Sequence, residues 1–286
     1  MELVDILMRT ERYLREKGVD APRLEAELLL GHVLNLARMR LYLQFDRPMA
    51  PEELDALRPL VARRGNREPL GWILGSVGFH AIDDLGVRPG VLVPRPDSEA
   101  LVDAALERLE LGQPAYIADV GCGSGAIGLA IAIARPEVRV YATDISPQAL
   151  AATRDNVARL ELTQRVAVLE GHLLTPIPDK RPIDWVISNP PYIPAGDIDA
   201  LMPEVSRHEP RLALDGGKDG LDIYRELIPE ARRRARCGVI VEVGIHQAPG
   251  VADIMRRAGM TDIFTRKDLA GIDRVVGSLT PVGETR

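Results

Sequence analysis

The sequence predicts an α/β fold: a doubly wound, mostly parallel sheet of Rossmann-like type, preceded by a small N-terminal helical bundle. Three observations carry that expectation. From about residue 96 onward, short apolar runs alternate with helix-length segments, as strand–helix–strand units require. A glycine-rich turn, Gly121-Cys122-Gly123-Ser124-Gly125, joins the apolar run Tyr116-Ile117-Ala118 to the helix-like stretch from Ala126 to Ile131. Residues 1–67 carry apolar stripes at helical spacing.

In residues 1–67, Val4, Leu7, Met8 and Leu14 mark a first stripe, and Leu24, Leu28, Leu29 and Val33 a second. Leu54, Leu57, Leu60 and Val61 mark a third, opened by Pro51 at a first-turn position, where a missing N–H costs nothing. Gly18 and Asp46-Arg47-Pro48 punctuate the stripes. No catalytic residue is recognisable there, so the bundle is expected to dock a partner or to be structural. Residues 68–95 turn to strand-like pieces broken by Gly75, Gly78, Gly86 and Gly90, which suggests a hairpin linker.

Residues 96–286 form the third part, the expected catalytic domain. A helix near Asp97 to Leu109 is followed by strand–helix pairs at 115–119 with 126–134 and at 138–143 with 147–160, then strands at 165–170 and 183–188. A helix over 220–236 and strands near 238–243, 261–266 and 273–279 complete it. Ser146, just before Pro147, is placed to cap its helix. Loops at the carboxyl ends of neighbouring strands would bring Gly121–Gly125, Asp144 and Asn189 to one rim.

At 286 residues the chain exceeds the usual size of one domain, about 100–150 residues, so a larger and a smaller unit are expected. No apolar run approaches the ~20 residues that span a bilayer, and Met1-Glu2-Leu3-Val4-Asp5 lacks the basic and apolar segments of a signal peptide. A cytoplasmic protein is expected. Cys122 and Cys237, the only cysteines, are too few for a disulfide framework and read as small buried residues. The five histidines show no ligand spacing, and no metal is expected.

The net charge of −6 lies wholly beyond residue 70: residues 1–70 hold twelve basic and twelve acidic side chains, and the remainder 24 and 30. Neither part resembles a basic nucleic-acid platform, so no direct nucleic-acid substrate is expected. Arg232-Arg233-Arg234 and Arg236 lie at the end of a predicted helix, where the helix dipole accounts for them.

The most specific chemistry is in Asn189-Pro190-Pro191-Tyr192, directly after the apolar run Trp185-Val186-Ile187-Ser188. A planar NH2 group attacks a methyl carbon poorly because its lone pair is drained into the adjacent π-system. The Asn189 side-chain oxygen and the Pro190 carbonyl can each accept one N–H of such a group, returning electron density to nitrogen and aiming it. Two consecutive prolines stiffen the loop and offer no competing N–H, and Tyr192 supplies an aromatic face. The pattern is that of a methyltransferase clamp on a substrate amide or an aromatic amine.

Upstream, Asp119-Val120-Gly121-Cys122-Gly123-Ser124-Gly125 is the candidate donor loop, its glycines letting the backbone pass beneath a ligand. The run Gly123-Ser124-Gly125-Ala126-Ile127-Gly128 also satisfies G-x-G-x-x-G, which leaves a dinucleotide fold open at this point. Asp144 ends the next strand, where a carboxylate can accept from both ribose hydroxyls of an adenosine cofactor.

Together with these motifs, several further stretches are similar to one family. They are Glu68-Pro69-Leu70 with Gly75 and Phe79; Leu92-Val93-Pro94-Arg95-Pro96-Asp97-Ser98-Glu99; Glu209-Pro210-Arg211-Leu212-Ala213-Leu214; Gly216-Gly217 with Asp219-Gly220-Leu221; Glu242-Val243-Gly244 with Gln247; and the closing Asp268 to Val276. The chain resembles the peptide chain release factor glutamine N5-methyltransferases, the PrmC/HemK family, over nearly its whole length. The resemblance implies S-adenosylmethionine as methyl donor, S-adenosylhomocysteine as product, and the Gly-Gly-Gln loop of bacterial release factors as acceptor. It implies donor binding by Asp119, Gly121, Cys122, Gly123, Ser124, Gly125, Asp144 and Asn189, and acceptor binding by Asn189, Pro190, Pro191, Tyr192 and Glu209. His172 stands where relatives commonly carry an acidic residue near the adenine amine, and is taken as a donor-site residue; the alternative is that a backbone group contacts the adenine and His172 is a surface residue. Glu209 and Arg211 have a second reading, as an ion pair that fixes their loop.

The implied reaction is a direct displacement with no covalent enzyme intermediate and no general base evident in the sequence. Asn189, Pro190 and Tyr192 are then the catalytic set, acting by orientation and electrostatics. A ribosomal-protein glutamine methyltransferase and an adenine-N6 DNA or RNA methyltransferase would use the same clamp and stand as alternatives. A dinucleotide oxidoreductase and a non-enzymatic binding module are the more distant ones. A monomer is expected.

Overall fold

The computed structural model describes residues 1–279. The end of the expected catalytic domain, residues 280–286, lies outside the described residues. The helices are α1 (Leu3–Glu16), α2 (Pro22–Leu34), α3 (Arg38–Leu41), α4 (Pro51–Gly65), α5 (Leu70–Leu74), α6 (Glu99–Leu106), α7 (Ala126–Ala134), α8 (Pro147–Arg159), α9 (Pro203–His208), α10 (Asp222–Arg234) and α11 (Ala248–Arg257). The strands are β1 (Ser76–Phe79), β2 (Ile82–Gly86), β3 (Ala115–Val120), β4 (Val138–Asp144), β5 (Val166–Glu170), β6 (Ile183–Ser188), β7 (Ala235–Glu242), β8 (Thr261–Lys267) and β9 (Asp273–Leu279). Among the described residues no helix is long and apolar enough to cross a membrane.

The chain forms two compact units, one of residues 1–75 with 202–208, the other of 76–201 with the chain from 209 onward. The first is helical. In α1 the buried face is Leu3, Ile6, Leu7, Thr10 and Leu14, whereas Met8 is exposed. The face is therefore rotated from the expected stripe. Adjacent apolar residues such as Leu3 and Val4 satisfy helical spacing on either of two neighbouring faces, and packing selects one. Leu24 of α2 is likewise exposed, while Ala26, Leu29 and Leu30 are buried. Residues 70–74, expected to be strand-like, form α5 instead: Pro69 begins the turn and Gly75, at φ 83°, ends it. The buried Arg64 of α4 pairs with Glu25 of α2 and, at 2.7 Å, with Glu204 of α9.

The second unit is the α/β part. Its sheet has seven strands in the order β5-β4-β3-β6-β7-β9-β8. Strands β3 to β7 pair parallel, and β9 runs antiparallel to both neighbours. Alternate residues feed two cores. Ile117, Val140, Trp185, Ile187 and Ile240 pack with α6 and α7 on one face. Ala118, Val120, Val186, Val239 and Val241 pack with Tyr224, Leu227 and Ile228 of α10 and Val251 and Met255 of α11 on the other. Burial on both faces explains the continuous apolar strands of the sequence. Ser146 caps α8 as its spacing suggests, accepting from the Ala149 N–H at 3.3 Å. Helix α11 had no counterpart in the expected element order. Cys237, expected to be buried, is exposed at the start of β7, where pairing with β6 shifts register.

Candidate active site

From β3 the chain moves outward through β4 and β5, then returns to the other side of β3 at β6. Such a reversal opens a crevice at the carboxyl ends of the strands. Register decides what lines it. Val120 of β3 stands opposite Thr143 of β4 and Ser188 of β6, and Ser188 opposite Val241 of β7. The residues that follow, Asp144, Gly121, Asn189 and Glu242, therefore form a row across four neighbouring strand ends.

A cavity opens above this row, lined among others by Gly121, Gly123, Asp144, His172, Asn189, Pro190 and Pro191. The glycine loop is held through its backbone N–H and C=O groups, which bond both backbone and side-chain partners. The N–H groups of Gly121 and Cys122 both donate to the Thr143 carbonyl, at 2.9 and 3.0 Å. The Gly123 N–H donates to Asp144 Oδ2 at 2.9 Å, and Asp144 Oδ1 accepts from the Ser146 N–H at 2.8 Å. Burial raises the Asp144 pKa against these N–H groups, which favour its charge. Gly121 and Gly123 have φ of 70° and 58°, and a Cβ at either would meet nothing within 4 Å. The loop is thus a cradle that side chains would fill, with apolar walls at Ile145 and Leu173 and an acid at its rim. That donor set fits an adenosine-bearing ligand: backbone floor, carboxylate for ribose hydroxyls, apolar walls.

Asp119, Cys122, Ser124 and Gly125 lie behind the cradle and do not line the cavity. Burial pushes Asp119 up to about 7; the Gly128 N–H, at 3.0 Å, opposes the shift and the Asp144 charge adds to it. Its Oδ1 has no hydrogen-bond partner among the described residues, an acceptor left open beneath the loop. A Cβ at Gly128 would lie 2.8 Å from Asp119 Oδ2 and 3.0 Å from Val140, so this glycine permits close approach of α7 to the sheet. Burial also raises the Cys122 thiol, which makes it a packing residue rather than a nucleophile.

On the acceptor side, Asn189 Nδ2 donates to the Ser98 hydroxyl at 3.1 Å, so the amide oxygen is left for another partner. Pro190 follows with no N–H. The Tyr192 hydroxyl donates to Glu242 Oε1 at 3.2 Å, and the Tyr192 carbonyl accepts from Gln247 Nε2 at 2.8 Å. Tyr192 packs with the second core and does not line the cavity. Burial pushes its hydroxyl up, helped by the neighbouring Glu242 charge. The Gly216-Gly217 and Gly220 stretch supports the clamp from below. A Cβ at Gly216 would lie 2.8 Å from the Tyr192 Cα, and one at Gly220 would lie 2.3 Å from its carbonyl oxygen.

Glu209 is buried, its carboxylate accepting from the Val93 N–H at 3.1 Å and from Arg95 at 2.6 Å. Arg211 pairs instead with Asp215 and Asp199. His172 is about half exposed and bonds Glu226 at 2.8 Å. Two supports of the loop escaped sequence reasoning. Thr153 donates to the Gly123 carbonyl at 2.9 Å, and Asn156 bridges the Ser124 carbonyl to the Gly86 backbone. Both are polar residues within α8 that look solvent-facing until burial is known. Among the described residues no group of three His, Cys, Asp or Glu side chains is placed to hold a metal ion.

The fold and this rim define a Rossmann-like methyltransferase. Residues 5–75 match the family model of the PrmC N-terminal domain and residues 98–209 that of the methyltransferase small domain. The release factor glutamine methyltransferase of Geobacter sulfurreducens is 47% identical, covering 95% of this chain and 94% of its own. That of Moorella thermoacetica is 42% identical, over 96% and 97%. A solved methyltransferase from Pyrococcus furiosus, 17% identical, covers 70% of this chain and 89% of its own with a TM-score of 0.51, a likeness of fold alone. The chain belongs to the release factor glutamine methyltransferase family.

Proposed function

We propose that this protein transfers a methyl group from S-adenosylmethionine to the side-chain N5 of the glutamine in the Gly-Gly-Gln loop of bacterial release factors, as a monomer in the cytoplasm. The observation that carries the reading is the amide of Asn189, whose Nδ2 is bonded to Ser98. Its oxygen and the Pro190 carbonyl are thereby left as a pair of acceptors for one planar NH2. S-adenosylmethionine supplies an electrophilic sulfonium methyl. The chain's own part is to hold the donor over Gly121 and Gly123, to take its ribose on Asp144, and to aim the glutamine nitrogen with Asn189 and Pro190. The two acceptors oppose delocalisation of the nitrogen lone pair and stabilise the positive charge that grows on nitrogen during transfer. No base is needed in the rate-determining step, since the methylated amide is strongly acidic and sheds its proton to water.

Residues 1–67, in the division used above, are assigned to docking the release factor. His172 is assigned to the adenine end of the cradle. The test is transfer of labelled methyl to purified release factor, with a Gln→Ala release-factor variant and duplex DNA in parallel, followed by mass mapping. Label on the Gly-Gly-Gln glutamine, absent from the variant, is expected. Label on DNA alone would overturn the acceptor and leave the donor site standing.

A further inference from the structure

Glu242 is 2% exposed and lies beside Asn189 in the row of strand ends, yet nothing in the reaction above uses it. Its Oε2 has no hydrogen-bond partner among the described residues. The groups that face it are Ser98 and Asp97 from the turn before α6, Tyr192 from the clamp and Arg274 from β9, while its backbone carbonyl accepts from the Tyr224 hydroxyl at 2.7 Å. Ser98 is itself 3% exposed, and its oxygen already accepts from Asn189 Nδ2. A serine hydroxyl has one hydrogen to give. With its oxygen taken by Asn189, that hydrogen is free for Glu242.

We infer that Glu242 is a positioning residue for methyl transfer: by accepting the Ser98 hydrogen it makes Ser98 an acceptor toward Asn189, and so commits the Asn189 oxygen to the substrate amide. The inference rests on the function proposed above. Were Ser98 to give its hydrogen to Asn189 instead, the asparagine amide would turn over and present NH2 to the substrate's NH2, donor against donor. A protonated Glu242 permits that reversal, because its own O–H can donate to Ser98. Burial pushes the Glu242 carboxyl up to about 7; Ser98, Arg274 and Tyr192 favour its charge and Asp97 opposes it. The relay is therefore set by pH near neutrality. Glu242 touches neither donor nor acceptor and acts only through Ser98 and Tyr192.

Two measurements test this. At saturating donor and acceptor, wild-type kcat should fall about tenfold per pH unit below about 7. In Glu242→Gln that limb should vanish and kcat should drop ~10²-fold, with the KM for donor unchanged. Ser98→Ala should lower kcat similarly, and the double variant should be no worse than either single one. A Glu242→Gln enzyme with wild-type kcat and an unaltered acid limb would overturn the inference. The second measurement needs no acceptor. The chain has four asparagines, so 15N-asparagine labelling gives a sparse spectrum in which the Asn189 side-chain NH2 is identified by its loss in Asn189→Ala. Those signals should titrate near neutrality in the wild type and lose that titration in both Glu242→Gln and Ser98→Ala. Titration surviving in Ser98→Ala would mean a through-space field and no relay. If the wild type labels no release-factor glutamine, the acceptor reading falls while this titration still decides the inference.

Discussion

On the donor side of the rim, Gly121, Cys122 and Gly123 are held by the Thr143 carbonyl and by Asp144, all within one strand–turn–helix unit and its neighbour. On the acceptor side, Asn189 and Tyr192 are held by the side chains of Ser98, Glu242 and Gln247, from two separated segments. A cradle whose floor is backbone presents the same groups to its ligand as long as its glycines and the Asp144, Thr153 and Asn156 supports stay. A clamp built from side chains depends on each partner's protonation and orientation. The donor side should therefore answer most to bulk at its glycines, and the acceptor side to the identity of each partnering side chain.

The largest effect that tests this contrast is at the clamp itself. Asn189→Ala should lower kcat by ~10²–10³-fold, comparable to deleting one preorganised transition-state hydrogen bond, while the donor Kd changes little. Isothermal titration with S-adenosylhomocysteine beside single-turnover transfer separates the two. An equal loss in both would mean that Asn189 serves the donor and that the two sides are not distinct.

Stability against pH comes next. Glu242 ionises near 4.5 in the unfolded chain and near 7 when folded. Between those values the folded protein keeps a proton that the unfolded chain has released, so the contribution to stability is full below about 4.5 and is lost as pH rises to about 7. The loss is on the order of 3 kcal/mol. Asp119, raised from 3.8 to about 7, acts in the same direction. Urea unfolding of Glu242→Gln should show the wild type losing stability relative to the variant across that window, and a constant difference above it. The acceptor side would then be functional at the expense of stability. Parallel curves from pH 4 to 8 would remove that conclusion.

The unequal legibility of the two sides follows from the same construction. The glycine loop, Asp144 and Asn189-Pro190 are contiguous motifs, and their meeting follows from strand alternation alone. Ser98 and Glu242 stood out in the sequence only as parts of family-like stretches; Glu242 reaches Asn189 through register across β6 and β7 and Ser98 through the packing of the turn before α6, which no local pattern encodes. Tyr192 could be read as an aromatic face but not as a hydroxyl donor to Glu242, because the direction of its ring depends on tertiary packing. The same holds in the helical unit, where Leu3 rather than Met8 is buried although both satisfy the spacing.

A smaller effect is expected on the donor side. Gly121 needs φ of 70°, which costs a residue with a Cβ ~1–2 kcal/mol, and the new methyl would enter the cradle. Gly121→Ala should weaken S-adenosylhomocysteine binding by ~10–30-fold and leave the pH dependence of kcat unaltered. A shifted pH profile in this variant would show the two sides to be coupled.

The smallest effect is expected at His172, and it asks how far the donor side tolerates side-chain change. Its ring is about half exposed and bonded to Glu226 at 2.8 Å, so any contact it makes at the adenine end competes with water. One exposed neutral hydrogen bond is worth ~0.5–1.5 kcal/mol. His172→Ala should thus raise the donor Kd by only ~2–10-fold, and Glu226→Gln, which loosens the ring without removing it, by less. If Glu226→Gln weakens binding more than His172→Ala, the carboxylate rather than the imidazole serves the adenine amine. The adenine end of the cradle would then be served by an acidic side chain of α10 rather than by the loop after β5.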